Sequence, residues 1–179
     1  MEESALVIPV ALPEILERIR RQYDPVAQDL PPHLSLLVPF AERPADQTVD
    51  SRLRRVARRF MPLALKAQSV GAFLGEGLDT IYLVLCVHPE LQNMMDMVFA
   101  EFPEHPPYAG KHDEIIPHVT LAQVNRAKAP NVQALAEKAL EELGGTVWLD
   151  GTSLAWITHD QQGWRTATYP LGPLVETAP

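Results

Sequence analysis

Hydrophobic and polar residues alternate along the chain with two periodicities, one of two residues and one of three to four residues, which predict short strands and amphipathic helices. Aliphatic runs with strand spacing occupy residues 5–12, 34–40, 63–74, 80–87, 116–122, 146–149, 153–158 and 164–171. Apolar residues spaced three or four apart predict helices over residues 13–23, 46–60, 89–102 and 130–143. Strand–helix–strand units recur, so the pattern predicts an α+β fold with antiparallel-rich sheets that carry helices on their outer faces.

Proline, glycine and arginine refine this prediction. Pro9 in the first strand favours a position near a sheet edge. The residues Gly75-Glu76-Gly77 predict a tight hairpin between the third and fourth strands. In the first helix, Arg18, Arg20 and Arg21 are expected to turn outward, away from the isoleucine and leucine residues.

Tryptophan and cysteine provide two further expectations. Trp148, Trp156 and Trp164 are expected to pack in the core or in the last hairpin, with base stacking as the alternative role for one of them. Cys86 lies in an apolar run and is predicted to be a buried thiol. Because it is the sole cysteine, an intrachain disulfide is excluded, which fits a reducing compartment.

One short pattern occurs twice, about 85 residues apart. Each copy is a proline, a histidine, an aliphatic residue, a hydroxyl residue and another aliphatic residue: Pro32-His33-Leu34-Ser35-Leu36 and Pro117-His118-Val119-Thr120-Leu121. Because side chains in a strand alternate between faces, His33 shares a face with Ser35, and His118 shares one with Thr120. Each copy is therefore predicted to present one imidazole and one hydroxyl to a common cleft.

Two imidazoles and two hydroxyls around a cleft suit the cleavage of a phosphodiester. In-line displacement at phosphorus needs one group that takes a proton from the attacking oxygen and another that gives a proton to the leaving oxygen. Histidine can do both near neutral pH, so His33 and His118 are predicted to be the acid and the base, in either order. Ser35 and Thr120 are predicted to bind the phosphate by donating hydrogen bonds to its non-bridging oxygens. No metal or other cofactor is required.

The paired His-x-Ser/Thr-x motifs resemble the signature of the 2H phosphoesterases, which include 2′-5′ RNA ligase-like proteins and cyclic nucleotide phosphodiesterases. The resemblance implies one bilobal domain over residues 1–171, with two pseudo-symmetric lobes and an active-site cleft between them. Residues 172–179 are expected to form a flexible tail, because the last residues of a domain are usually poorly ordered. In that family the chain ends join one lobe, and the middle of the chain supplies the other.

The resemblance also implies an activity. This is the hydrolysis of a 2′,3′-cyclic phosphate or a 2′,5′-phosphodiester bond in a nucleotide or RNA end. By reversibility the same groups can join RNA ends, although hydrolysis is expected to dominate in water. Relatives often carry a basic residue soon after the second motif, whereas here Gln123 comes first and Arg126 later.

Two alternatives follow from the same residues. One is a non-catalytic module that binds nucleotides or RNA ends in the same cleft. Intact motifs in both copies argue against this loss of catalysis. The four histidines outside the motifs lack a hydroxyl residue two positions later, which argues against a chance match at His33 and His118. A metal site built from His105, His112, Asp113 and His118 matches no standard ligand spacing, and a metal would occupy a histidine needed as acid or base.

Composition and charge narrow the class of partner. The 179 residues carry 15 Lys and Arg against 23 Asp and Glu, a formal net charge of −8, so a broad basic surface for long nucleic acid is not expected. A small nucleotide or an RNA end is the predicted substrate. No apolar run approaches a membrane span and the first residues are acidic, which predicts a cytoplasmic protein without a membrane partner. We also expect a monomer.

Two further regions are candidates for ligand contacts. The loop over residues 102–117 contains Tyr108, which can stack on a base, and Lys111, which can meet a phosphate. The arginines of the helix over 46–60 can steer a phosphate-bearing ligand or simply be solvated.

Overall fold

Strands and helices follow one another through residues 3–41, 47–111 and 115–173, the parts of the chain that the computed structural model describes. Of the predicted flexible tail, residues 174–179 lie outside the described residues. The strands are β1 (Glu3–Pro9), β2 (His33–Leu37), β3 (Leu63–Phe73), β4 (Asp79–Leu85), β5 (His118–Val124), β6 (Val147–Gly151), β7 (Ser153–Asp160) and β8 (Gly163–Pro170). The helices are α1 (Glu14–Tyr23), α2 (Gln47–Ala57), α3 (Pro89–Glu101) and α4 (Ala129–Glu142), and a short 3-10 turn covers Pro107–Gly110.

The described strands form one sheet in the order β6-β3-β4-β5-β2-β1-β7-β8, and all neighbouring pairs are antiparallel. The predicted α+β, antiparallel-rich fold class is thereby confirmed. The two predicted lobes correspond to the two halves of this sheet. They meet at β2 and β5, where a single register pair, Leu34 opposite Val119, joins them.

Chain order assigns the strands to the two halves. The central half, β6-β3-β4-β5, comes from the middle of the chain, and the terminal half, β2-β1-β7-β8, comes from both of its ends. α1 and α4 pack together and against the central half, whereas α2 contacts β7, β8 and α3. α1 leaves β1 of the terminal half and packs on β5 of the central half, so it ties the two halves together.

Two hydrophobic clusters lie on opposite faces of the sheet. The larger joins helix residues such as Leu16, Leu53 and Leu91 to strand residues such as Leu34 and Val119. The smaller lies on the other face of the terminal half and consists of Ala5, Val7, Leu30, Ala155 and Ile157. Alternation along the strands thus separates a helix-covered face from the face on which the histidines lie.

The structure corrects the predicted position of β1. This strand lies between β2 and β7 in the interior of the sheet, so the expected position near a sheet edge was wrong. Pro9 is its last residue and lies beyond the last register pair with β7, Val7 opposite Ala155. An interior strand can therefore hold this proline, because its missing N–H falls outside the ladder with β7.

Three side chains also differ from expectation. Arg20 is 1% exposed rather than turned outward, and its Nε lies 3.1 Å from the buried Asp24 carboxylate. Trp156 is buried as predicted, but Trp148 is 61% exposed because it lies on the uncovered face of the edge strand β6. Cys86 is half-buried, with Sγ 3.2 Å from Gln68 Oε1, rather than fully buried.

Candidate active site

The two predicted motifs lie side by side on neighbouring strands. Continuing the antiparallel register from the pair Leu34 and Val119 places His33 beside Thr120 and Ser35 beside His118. Directly opposite residues have Cβ atoms about 4.5–5.5 Å apart. Diagonal neighbours such as His33 and His118 lie about 7–8 Å apart, and their Cβ atoms are somewhat closer than that. All four side chains are half-buried, whereas Leu34 and Val119 point into the core. The structure therefore brings the predicted site residues together on one face.

Both histidines are oriented by the same hydrogen bond. His33 Nδ1 lies 2.8 Å from the Pro31 carbonyl oxygen, and His118 Nδ1 lies 2.7 Å from that of Ile116. A carbonyl oxygen can only accept, so Nδ1 carries the hydrogen in each ring. The neutral imidazole then has a lone pair at Nε2, which leaves that atom to exchange protons with a ligand.

The two motifs also share a β-bulge directly after the hydroxyl residue. In β2, Ser35 lies opposite Val7 and Leu37 opposite Leu6, so Leu36 is the extra residue. In β5, Thr120 lies opposite Tyr82 and Ala122 opposite Ile81, so Leu121 is the extra residue. A bulge resets the alternation of faces.

The bulge in β5 brings an additional polar side chain to the site. Strict alternation would turn Gln123 toward the core, but the extra residue returns it to the face of His118 and Thr120, opposite Thr80. Arg126, the first cation after the motif, instead pairs with the buried Asp79 at 2.9 Å and donates to the Gly75 carbonyl. The polar group presented near Thr120 is therefore a neutral amide.

A cleft of about 600 Å³ opens beside His118 and Thr120. Its lining contains both apolar and polar side chains: Phe73, Leu74, Thr80, Tyr108, Ile115, Ile116, His118, Thr120 and Gln123. Tyr108 has a backbone φ of 50°, in the left-handed region, and so does Ala109 next to it. Burial raises the pKa of the Tyr108 phenol. Lys111 is exposed at the end of this turn. Of the two predicted loop contacts, Tyr108 thus lines the cleft.

Aromatic rings support His118. The Tyr82 ring centre lies 4.9 Å from the imidazole, and that of Phe73 lies 5.1 Å from it in an edge-on arrangement. Phe73 and Tyr82 stack on each other at 4.1 Å. Gly71 makes room for this pair, because a Cβ there would lie 2.7 Å from the Tyr82 ring. Sequence reasoning missed these residues, since only the register across three strands brings them together.

A buried ion pair lies near His33. Arg20 binds Asp24 and donates from Nη2 to the Leu30 carbonyl at 2.8 Å, one residue before Pro31, which orients the His33 ring. Asp24 also accepts a hydrogen bond from the Val26 N–H at 3.2 Å. This pair therefore fixes the segment that leads into β2.

Burial lowers the pKa of both histidines below the ordinary value of 6.5. At His33 the pKa is lowered further by Arg20 and His118 and raised by the Pro31 hydrogen bond and by Asp24. At His118 the Ile116 hydrogen bond opposes the effect of burial. Desolvation disfavours the charged ring, so the neutral form with a free Nε2 lone pair is favoured at neutral pH.

The other candidate groups lie elsewhere. His105 packs against Phe40, while His112 and Asp113 lie outside the described residues. Within residues 3–41, 47–111 and 115–173, no three His, Cys, Asp or Glu side chains converge as a metal site. On α2, Arg52 binds Glu101 and Glu104, and Arg55 also contacts Glu101.

The chain matches a family model over most of its length. The model, described as the 2′-5′ RNA ligase superfamily, covers residues 8–161. The chain therefore belongs to the 2′-5′ RNA ligase superfamily, and the resemblance to the 2H phosphoesterases is confirmed.

Two curated relatives from Bacillus are named "Putative phosphoesterase". The one from Bacillus pumilus is 31% identical over 114 residues, and the one from Bacillus cytotoxicus is 32% identical over 108 residues. These matches cover 63% and 59% of this chain and the same shares of the relatives, so the chain matches less than two thirds of their length.

Solved structures show the same fold. The protein TT0787 of Thermus thermophilus has a TM-score of 0.57 at 19% identity, with 96% of this chain and 98% of that chain covered. LigT of E. coli has a TM-score of 0.52 at 13% identity, with 96% and 98% covered. Among the described helices, none is long and apolar enough to cross a membrane. The cytoplasmic location and the monomeric state stay predictions.

Proposed function

We propose that the protein is a metal-independent phosphodiesterase that opens 2′,3′-cyclic phosphates or cleaves 2′,5′ linkages in nucleotides or RNA ends. This proposal rests on the Nε2 atoms of His33 and His118. Each imidazole is held through Nδ1 by a backbone carbonyl, which leaves Nε2 on both rings for proton transfer. Diagonal positions on neighbouring strands allow the two rings to flank one phosphorus atom.

The reaction needs one neutral and one protonated imidazole. With a cyclic phosphate, the neutral ring takes a proton from water as the water oxygen bonds to phosphorus. The bond from phosphorus to O3′ breaks, and the protonated ring gives its proton to that oxygen. The products are a 2′-phosphate, as the family resemblance implies, and a 3′-hydroxyl. The two rings end with exchanged protonation states, which solvent restores.

The hydroxyls of Ser35 and Thr120 hold the phosphate. Within the described ranges, no side-chain hydrogen bond engages either hydroxyl, so both can donate to non-bridging oxygens. Charge that develops on those oxygens in the transition state strengthens these bonds, which is how they contribute to the rate.

The cleft suits a nucleotide. Its volume of about 600 Å³ and its apolar wall of Phe73 and Leu74 fit a base, and Tyr108 lies where it can stack on one. Two proteins of this fold have been solved with nucleoside monophosphates: Usb1 of Kluyveromyces marxianus with uridine monophosphate and E. coli LigT with 3′-AMP. We propose that the same class of ligand occupies this cleft.

The proposal is tested with 2′,3′-cyclic nucleotides and 2′,5′-linked oligonucleotides, followed by phosphorus NMR with and without EDTA. We expect ring opening or cleavage that persists in EDTA. Binding without any product would instead support the non-catalytic module. Turnover that EDTA abolishes and a divalent metal restores would overturn the metal-independent mechanism.

The pH dependence provides a second test. Protonation of the base removes activity as the pH falls, and deprotonation of the acid removes it as the pH rises, so kcat/KM follows a bell. Because burial lowers both histidine pKa values, we expect the maximum below pH 6.5. A maximum well above that value would show that burial does not dominate the two histidine pKa values, whereas a profile without a bell would contradict the two-histidine assignment.

A further inference from the structure

The face that carries His118 continues past the cleft as an open surface. Val84 lies opposite His118, and Cys86 follows it on the same face, just beyond β4. The Cys86 N–H donates to the Lys66 carbonyl at 2.7 Å, and Lys66 lies opposite Trp148 on the edge strand β6. One continuous path on the helix-free face therefore leads from the cleft to the sheet edge.

A groove of about 420 Å³ lies at the end of this path, and its lining includes Lys66, Cys86 and Trp148. Trp148 is 61% exposed, although a tryptophan side chain is normally among the more buried ones. The Lys66 Nζ lies 5.7 Å from the centre of the indole ring and pairs with no carboxylate in the described part of the chain. An open aromatic face beside an ammonium group is the combination that binds single-stranded nucleic acid.

We infer that Trp148 and Lys66 form an outer subsite for a single-stranded RNA tail whose terminal phosphodiester lies in the cleft. Trp148 stacks on a base, and Lys66 contacts an adjacent phosphate. This inference rests on the proposed function and extends it to the substrate class, which becomes an oligonucleotide end rather than a free nucleotide.

The distance between the two sites sets the length of the substrate. His118 and Trp148 are separated by three strand spacings, about 14 Å, and by two residues along the strands, about 7 Å, which together give about 16 Å. A cyclic mononucleotide in the cleft cannot reach across that span, whereas a tail of a few nucleotides can.

The charges in the groove limit the length of the tail that binds. Glu90 and His88 also line it, and they engage each other at 2.9 Å. Lys66 is the one lysine or arginine in the lining of this groove, which fits a short tail and a protein of net charge −8 better than it fits a long nucleic acid.

The test compares two substrates in the full-length protein: a 2′,3′-cyclic mononucleotide and an oligonucleotide of about eight nucleotides that ends in the same cyclic phosphate. Trp148→Ala is expected to raise KM for the oligonucleotide by roughly 5- to 150-fold, the range that one stacking contact provides, and to leave KM for the mononucleotide unchanged. Lys66→Ala is expected to raise KM for the oligonucleotide less and to weaken its dependence on salt. Leu135→Ala and Lys138→Ala, on the outer helix α4, are the matched controls.

Cys86 provides a readout that needs no turnover. As the sole cysteine, its rate of alkylation by iodoacetamide reports on the groove alone. The oligonucleotide is expected to slow alkylation, the cyclic mononucleotide is not, and Trp148→Ala is expected to remove the protection. Equal KM values for wild type and Trp148→Ala, or no protection by the oligonucleotide, would overturn the subsite. If neither substrate turns over, the proposed function fails, while alkylation still decides whether the tail binds here.

Discussion

His33 and His118 occupy equivalent backbone settings but different side-chain surroundings. Each histidine follows a proline and donates from Nδ1 to a carbonyl two residues earlier. Each also has a hydroxyl residue two positions later, and a β-bulge comes directly after that residue. His118 is then supported by the rings of Phe73 and Tyr82. His33 instead follows a segment that the buried Arg20–Asp24 ion pair holds in place.

The difference shows how a duplicated motif can supply two unlike catalytic groups. The repeated backbone fixes the same tautomer on both sides, which either role requires. Burial lowers the pKa of both rings, and the hydrogen bond to a backbone carbonyl raises it in both, but the nearby charges of Arg20 and Asp24 act on the pKa of His33 and not on that of His118. The separation of acid and base therefore depends on residues outside the motifs.

The largest expected effect comes from removing either ring. His33→Ala and His118→Ala should each lower kcat on a cyclic nucleotide by roughly 10²- to 10⁴-fold, since each removes one proton transfer. A substrate with a nitrophenolate leaving group, which leaves without protonation, should restore much of the rate to the variant that lacks the acid and little to the variant that lacks the base. Steady-state kinetics on both substrates would thus assign the roles.

His159→Ala is the control for these variants, because His159 packs against Trp164 at 4.6 Å, away from the two motifs. It should keep the wild-type rate. Full activity of either His33→Ala or His118→Ala would exclude the two-histidine mechanism.

Breaking the ion pair between Arg20 and Asp24 tests how this pair affects the stability of the protein and the pKa of His33. Arg20→Met leaves the Asp24 carboxylate buried and unpaired, so the free energy of unfolding should fall by about 3–5 kcal/mol in urea titrations. The pKa of His33 should rise, because the cation that lowers it is gone and the anion that raises it remains, while that of His118 should not change. NMR titration of the ring protons measures both values.

Three companion variants sharpen this experiment. Arg18→Met removes an exposed arginine from the same helix and should change neither quantity. Asp24→Asn should lower the His33 pKa, the opposite direction. Arg20→Lys retains a cation and should fold even if Arg20→Met does not, so equal losses in the Lys and Met variants would show that the charge is not what matters.

The comparison of the two walls also separates what the sequence could predict from what it could not. The motifs repeat as short local patterns, and strand alternation alone places each histidine and hydroxyl on one face. The bulges at Leu36 and Leu121 are invisible in that pattern, because the extra residue is as apolar as its neighbours. The exposure of Gln123 toward the cleft, which depends on a bulge, was therefore not predicted.

The predictions for the exposure of Arg20 and the burial of Trp148 were wrong for a related reason. Helical periodicity assigns arginine to the outer face, but it cannot show that Asp24 meets Arg20 in the interior and compensates its charge. A tryptophan is expected inside by hydrophobicity, but the strand order, which a local pattern does not contain, places β6 at an uncovered edge. Both errors concern contacts between elements rather than the elements themselves.

The hydroxyls of Ser35 and Thr120 should both contribute to the rate, and each should contribute less than either imidazole ring. Ser35→Ala and Thr120→Ala should each lower kcat/KM. The corresponding increase in activation free energy should be about 1–3 kcal/mol, the value of a hydrogen bond to a charged group. Thr120→Ser keeps the hydroxyl and should retain most of the activity. If Thr120→Ser lost as much as Thr120→Ala, the methyl group rather than the hydroxyl would be the important part.

The smallest expected effect tests the aromatic support of His118. In Gly71→Ala, the new Cβ would lie 2.7 Å from the Tyr82 ring, which cannot move freely because Phe73 stacks on it and His118 packs beside it. Overpacking typically costs about 1–3 kcal/mol, and the lower entropy of alanine in the unfolded chain returns about 0.5–1 kcal/mol. We therefore expect a loss of stability near 1 kcal/mol together with a modest fall in kcat. Gly77→Ala, where a Cβ meets nothing within 4 Å, is the matched control in the turn of the same hairpin. A fall in kcat for both variants would mean that hairpin geometry, rather than ring contact with His118, supports this wall of the site.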